Sequence, residues 1–119
     1  MERVSFLGED DNKILFINFA GCMPSEAIKV MEEAMKVIAQ QPFYSVRTLT
    51  DVSGARYNRE AVVKLKQFVS HNKPYVKAGA VVGLSPLQKI VLEAVSRVSQ
   101  REFKVFSNAE EAKTWLSER

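Results

Sequence analysis

The side chains best placed to do chemistry are Asp51, Ser53, Gly54, Arg56, Tyr57 and Asn58, the densest polar group in the chain. They follow an apolar run read as a parallel strand, and open α/β sheets hold their ligands at that carboxyl edge. A binding site there is one reading. The other is a turn, in which Asp and Ser bond the local backbone, Gly takes a positive φ and Asn caps the next helix. Gly83-Leu84-Ser85 ends the following strand and leads into a helix whose amino terminus could take a small anion. No GxGxxG fingerprint or P-loop accompanies it. His71, the single histidine, has no Asp, Glu or Cys at ligand spacing and reads as a surface or helix-end residue. Cys22, the single cysteine, excludes an internal disulfide and a multi-cysteine metal site. Nothing near it in sequence would lower its pKa, so it reads as a small, partly buried residue rather than a nucleophile. We therefore expect no catalytic residue, metal or cofactor, and no enzyme.

The elements that position these residues follow from apolar patterning. Val4 and Phe6 alternate, a polar turn covers 8–12, and Ile14 to Phe19 form a second strand, apolar enough to be covered on both faces. Gly21 and Pro24 break it. Ala27, Met31, Ala34 and Ile38 then set a helix from about Ser25 to about Gln40. Val46 to Thr50 is a third strand. A helix capped by Asn58 follows, with Ala61, Val62, Leu65, Phe68 and Val69 on its apolar face. Ala78 to Val82 is a strand whose small residues let a helix approach closely. Ser85-Pro86-Leu87-Gln88 combines a capping serine, proline at the first helical position and a capping-box glutamine. Leu87, Ile90, Val91, Ala94, Val95 and Val98 predict a broad buried stripe on that helix. Phe103 to Phe106 is a last strand, and Ser107-Asn108-Ala109-Glu110 repeats the capping-box pattern. Ala112, Trp115 and Leu116 share a face of the last helix, with Trp115 as its core anchor.

The order is β-β-α-β-α-β-α-β-α, predicting an α/β fold with a mainly parallel sheet and an antiparallel first edge strand. At 119 residues the chain suits a single domain over 1–119. Hydrophobic residues make up 46% and charged residues 26%, ordinary globular values. No apolar stretch approaches the roughly 20 residues of a spanning helix, which argues against stable membrane insertion. The amino terminus lacks the apolar run of a signal peptide, so a cytoplasmic location is expected. A net charge of +3 spread among acids does not argue for nucleic acid. Lys64, Lys66, Lys73 and Lys77, with Tyr75 among them, are locally basic. They could meet acidic headgroups or a partner, although a solvated face of snorkelling lysines accounts for them.

This order of elements, the turn Asp51-Val52-Ser53-Gly54, and the tail Phe106…Glu110-Glu111-Ala112…Trp115-Leu116 resemble the STAS/SpoIIAA-like family over nearly the full length. The chain is most similar to its bacterial SpoIIAA-like, STAS/CRAL-TRIO-like branch, mostly uncharacterised. In anti-sigma-factor antagonists of the family, an Asp-Ser-Ser-Gly or Asp-Ser-Thr-Gly turn opens the second helix, and the first hydroxyl residue accepts phosphate. Asp51 and Gly54 match that turn, but Val52 occupies the phosphoacceptor position and Ser53 the normally unmodified one. The resemblance thus implies a non-catalytic interaction module without the phosphoswitch. The alternative is a carrier or sensor of a small apolar or lipid-like ligand. Its partner is an unidentified protein or that ligand. If all crossovers move one way along the sheet, their helices share one face and the other is left apolar and bare. Helices divided between the faces would cover it, and so would a homodimer.

Overall fold

The computed structural model describes residues 2–8, 13–99 and 103–119, with Val98 and Ser99 described by backbone alone. The elements are β1 (Val4–Leu7), β2 (Ile14–Asn18), α1 (Pro24–Ala39), β3 (Val46–Asp51), α2 (Arg59–Asn72), β4 (Val76–Val82), α3 (Pro86–Ser99), β5 (Lys104–Phe106) and α4 (Ala109–Ser117). Their order is the one the patterning predicts.

The strands lie in the sheet in sequence order, β1 to β5. β1 pairs antiparallel with β2, Val4 opposite Ile17 and Leu7 opposite Ile14. Every later pair is parallel. Each crossover therefore moves one strand onward in the same direction, and right-handed connections carry α1, α2 and α3 to a single face. Leu15 and Ile17 point to that face and join Phe19, Met31, Ile38, Phe68 and Val95 in one core cluster. Ile14, Leu49, Ala78, Ala80 and Val82 point the other way, and there α4 closes over them with Ala112 and Leu116. The small side chains of β4 serve this contact. The layer over the second face comes from within the chain, the first of the two ways of covering it.

Helix starts are set by side chains that satisfy the first free N–H groups. Asn58 accepts from the Ala61 N–H at 2.8 Å, and the Glu26 carboxylate accepts from the Met23 N–H at 3.1 Å. At α4 the cap is Asn108, accepting from Glu111 at 2.9 Å, one residue beyond the expected Ser107. Glu111, not Glu110, then faces the cap, its carboxylate accepting from the Asn108 amide at 3.3 Å.

Two packing expectations are corrected. The stripe of α3 is not buried across its breadth. Val95 is buried and Val91 and Leu92 are half-buried, but Leu87 is 70% exposed, Ile90 is 65% exposed and Ala94 is exposed. Val98 lies outside the described side chains. The helix is broadly apolar, yet it meets the rest of the molecule along one side only. Trp115 is likewise half-buried, its ring against Phe106 at 5.6 Å and under the Arg119 guanidinium at 4.5 Å. The residue that reaches the sheet is Leu116, fully buried. Leu116→Ala should cost about 2–5 kcal/mol, the range for a buried leucine that leaves a cavity, and Trp115→Ala should cost less. Urea midpoints of the two variants will check this; the reverse order would mean that α4 is held through its tryptophan.

Candidate functional site at the carboxyl edge of the sheet

The polar group at the end of β3 is built first as a turn. The Asp51 carboxylate accepts from the Ser53 N–H at 2.9 Å, Gly54 has φ 66°, and Asn58 is committed to its cap. The Gly21 N–H donates to the Ser53 carbonyl and the Arg56 N–H to the Cys22 carbonyl, each at 2.8 Å. The turn thus rests on the end of β2 as well as on its own strand. Ser53, Gly54, Arg56 and Asn58 are exposed, whereas Asp51 and Tyr57 are half-buried. The Arg56 side chain makes no hydrogen bond or ion pair among the described residues.

Gly83 and Ser85 come to the same edge. Gly83 has φ 83°, and a Cβ there would fall on the Ser53 hydroxyl, 2.8 Å from the Ser53 nitrogen and 3.0 Å from an Asp51 carboxylate oxygen. The glycine is what lets the two loops meet. Ser85 forms the anticipated capping box: its hydroxyl accepts from the Gln88 N–H at 3.2 Å, and the Gln88 side-chain carbonyl accepts from the Ser85 N–H at 2.8 Å. Sequence reasoning missed what the other end of that amide does. Gln88 Nε2 donates to the carbonyls of Val52, at 3.0 Å, and Ala55, at 3.1 Å. A glutamine at the third helical position signals a capping box, but nothing in the spacing signals a bond to a turn more than thirty residues earlier.

Tyr57 leaves the polar edge and helps line a cavity of about 70 Å³ between the sheet, α2 and α3. Its walls include Ile17, Phe19, Phe68, Val81, Val91 and Leu92, with Thr48, Thr50, Asn72 and Gln88 as the other polar members and, among the described residues, no charged side chain. A water needs roughly 10–15 Å³ measured this way, so the space holds a few waters or a small apolar group. Burial, and after it the neighbouring Cys22, pushes the Tyr57 phenol well above its usual pKa, so it faces the cavity as a neutral hydroxyl. Cys22 is fully buried, more so than the sequence suggested. Burial raises its thiol pKa, Arg3 opposing and Glu26 adding.

His71 is half-buried, its ring stacked on Tyr75 at 5.9 Å and its Nδ1 2.9 Å from the Asn72 side-chain oxygen, far from the carboxyl edge in sequence and element. Among the described residues no group of His, Cys, Asp and Glu could hold a metal ion, and no helix is long and apolar enough to cross a membrane.

The close approach at Gly83 gives a differential test. Gly54 also has a positive φ, but a Cβ there would meet only Gly21 atoms at 3.9 and 4.0 Å. Gly54→Ala should cost only the backbone strain, roughly 1–2 kcal/mol. Gly83→Ala adds the collision with Ser53 and should cost more. Equal urea-unfolding costs would show that the two loops do not meet as described.

Among solved structures, an uncharacterized protein from the DUF3478 family with a SpoIIAA-like fold, from Shewanella loihica PV-4, matches with a TM-score of 0.74. The two share 16% sequence identity over 95% of this chain and 91% of that one. An anti-sigma-factor antagonist (STAS) domain protein from Planctomyces limnophilus matches with a TM-score of 0.58 and 16% identity, over 98% of both chains. At such identity these likenesses show the fold alone. No curated protein matches the sequence. The SpoIIAA-like family model matches residues 14–117, from the first residue of β2 to the last of α4, and on that match this chain belongs to the SpoIIAA-like family.

Proposed function

We propose that the chain is a non-catalytic STAS-like regulatory module that binds another protein through its carboxyl edge and is not switched by phosphorylation there. The observation that carries this reading is the arrangement of the 51–58 turn against α3. Ser53, Gly54 and Arg56 are exposed beside a helix start whose Leu87 and Ile90 are 70% and 65% exposed. Gln88 ties the two into one surface. At the position where phosphoswitched relatives carry the acceptor hydroxyl, Val52 is only 8% exposed and its side chain belongs to the core. The Ser53 hydroxyl occupies the space beside Gly83. A phosphate on it would have to open that contact. Asp51, Ser53, Gly54, Arg56, Asn58, Gly83 and Ser85 form or support the proposed surface, and Tyr57 belongs to the cavity behind it.

A second reading, a sensor or carrier of a small uncharged apolar ligand, is favoured by the cavity under α3. Its lining is apolar with a few neutral hydrogen-bonding groups, the make-up of a small-molecule site. Copurification of a neutral compound, seen by native mass spectrometry and lost in a cavity-filling Val91→Trp variant, is the outcome that reading requires.

For the first reading, protein from its native cell is expected to carry no stoichiometric phosphate on Ser53. A photoreactive residue at Leu87 should give a discrete adduct with another protein, and one at Glu110, on the opposite face, should not. A largely phosphorylated Ser53 would restore the switch. Equal adduct yields from both positions would remove the proposed surface.

A further inference from the structure

α3 turns one whole side to solvent. Val95 is buried and Gln88, Val91 and Leu92 are half-buried, whereas Leu87, Ile90 and Ala94 are exposed. At about 3.6 residues per turn the three exposed apolar residues fall in a single stripe along the helix. Lys89 and Glu93, both exposed, stand one turn apart along one border of that stripe. Among the described residues neither of them is in an ion pair. An apolar stripe of this kind on a protein surface marks a place of contact. Reading this edge as protein-binding leaves open which protein it meets.

The stripe is complementary to itself. If a second α3 lies antiparallel against it, with a two-fold axis at the level of Val91, each residue stands level with the one equally far beyond that position. The same border of each helix then faces its counterpart. Lys89 meets Glu93 of the second copy, and the symmetry repeats the pair, so opposite charges match twice. Leu87 comes level with the short side chain of Ala94 of the second copy, long against small, and the two Ile90 side chains meet at the axis. In a parallel pair the charged borders would lie on opposite sides and the charges would not meet. Arg97 and its counterpart are about 18 Å apart along the axis, beyond the range of strong repulsion at physiological salt.

We propose that the partner at this edge is a second copy of the chain, docked with α3 antiparallel to α3 about the level of Val91. The proposal rests on the reading of the edge as a protein-binding surface and names its occupant. Two-fold pairing of identical surfaces is the commonest symmetry of soluble oligomers. α3 has 14 residues, so it is about 21 Å long and roughly 10 Å across. Its footprint is a few hundred Å², well under the roughly 800 Å² per partner of a standard interface. The dimer is therefore a weak one that dissociates on dilution.

Sedimentation equilibrium of the full chain between about 10 μM and about 1 mM, concentrations that populate a weak complex, should show the mass rise from one chain toward two. Ile90→Lys should hold it at one chain throughout. Lys89→Glu and Glu93→Lys should each weaken association several-fold, and the two together should restore it, because the pairs form again with their signs exchanged. All three positions are exposed, so the variants keep the fold. A one-chain mass at every concentration, a dimer that survives Ile90→Lys, or a double variant no better than the single ones would overturn the proposal. A photoreactive residue at Leu87 that joins only a different protein in the native cell would also overturn it, yet leave the edge as a protein-binding surface; equal adduct yields from Leu87 and Glu110 would remove both.

Discussion

One side-chain amide joins the parts of this molecule that matter for function. Gln88 closes the capping box of α3 through its carbonyl and holds the Val52 and Ala55 carbonyls through its nitrogen. The amide carries two N–H donors and an acceptor, and all these capacities are engaged. The geometry works only because Gly83 lets β4 end against the Ser53 backbone. Turn, glycine and helix start therefore form one rigid edge. α3 is attached to the fold mainly at that start and along a single half-buried side.

That attachment explains the unusual make-up of α3. A helix apolar around much of its circumference is ordinarily enclosed, but here the inward side roofs a small cavity and the outward side meets solvent. On the other face of the sheet α4 is bound differently, through Ala112 and Leu116 on the small residues of β4. The two faces thus divide the work. One is closed by a short helix docked tightly, and the other carries three helices with space left beneath the last.

The sequence made the architecture legible because strand and helix patterning, caps and glycine punctuation all agree on it. The mainly parallel pairing and the antiparallel β1 at the edge followed from the order of elements. The turn at 51–58 was legible as turn chemistry, and Asp51, Gly54 and Asn58 do what their types favour. What stayed hidden was long-range. Periodicity marks Leu87 and Ile90 as apolar but does not say that nothing among the described residues covers them. It groups Trp115 with Leu116 but does not say which one reaches the sheet. The bond from Gln88 to the turn and the entry of Tyr57 into the cavity wall join residues far apart in sequence. Local pattern contains neither.

The claim that the turn and α3 form one unit through Gln88 is tested most directly by amide hydrogen exchange in a Gln88→Met variant, which keeps the side chain's length and removes its hydrogen bonds. The account predicts that exchange rises together at Ala55, Arg56 and the first turn of α3, by about ten-fold for each 1.4 kcal/mol of lost local stability, while the central strands stay protected. Faster exchange in α3 alone, with the turn unchanged, would contradict it.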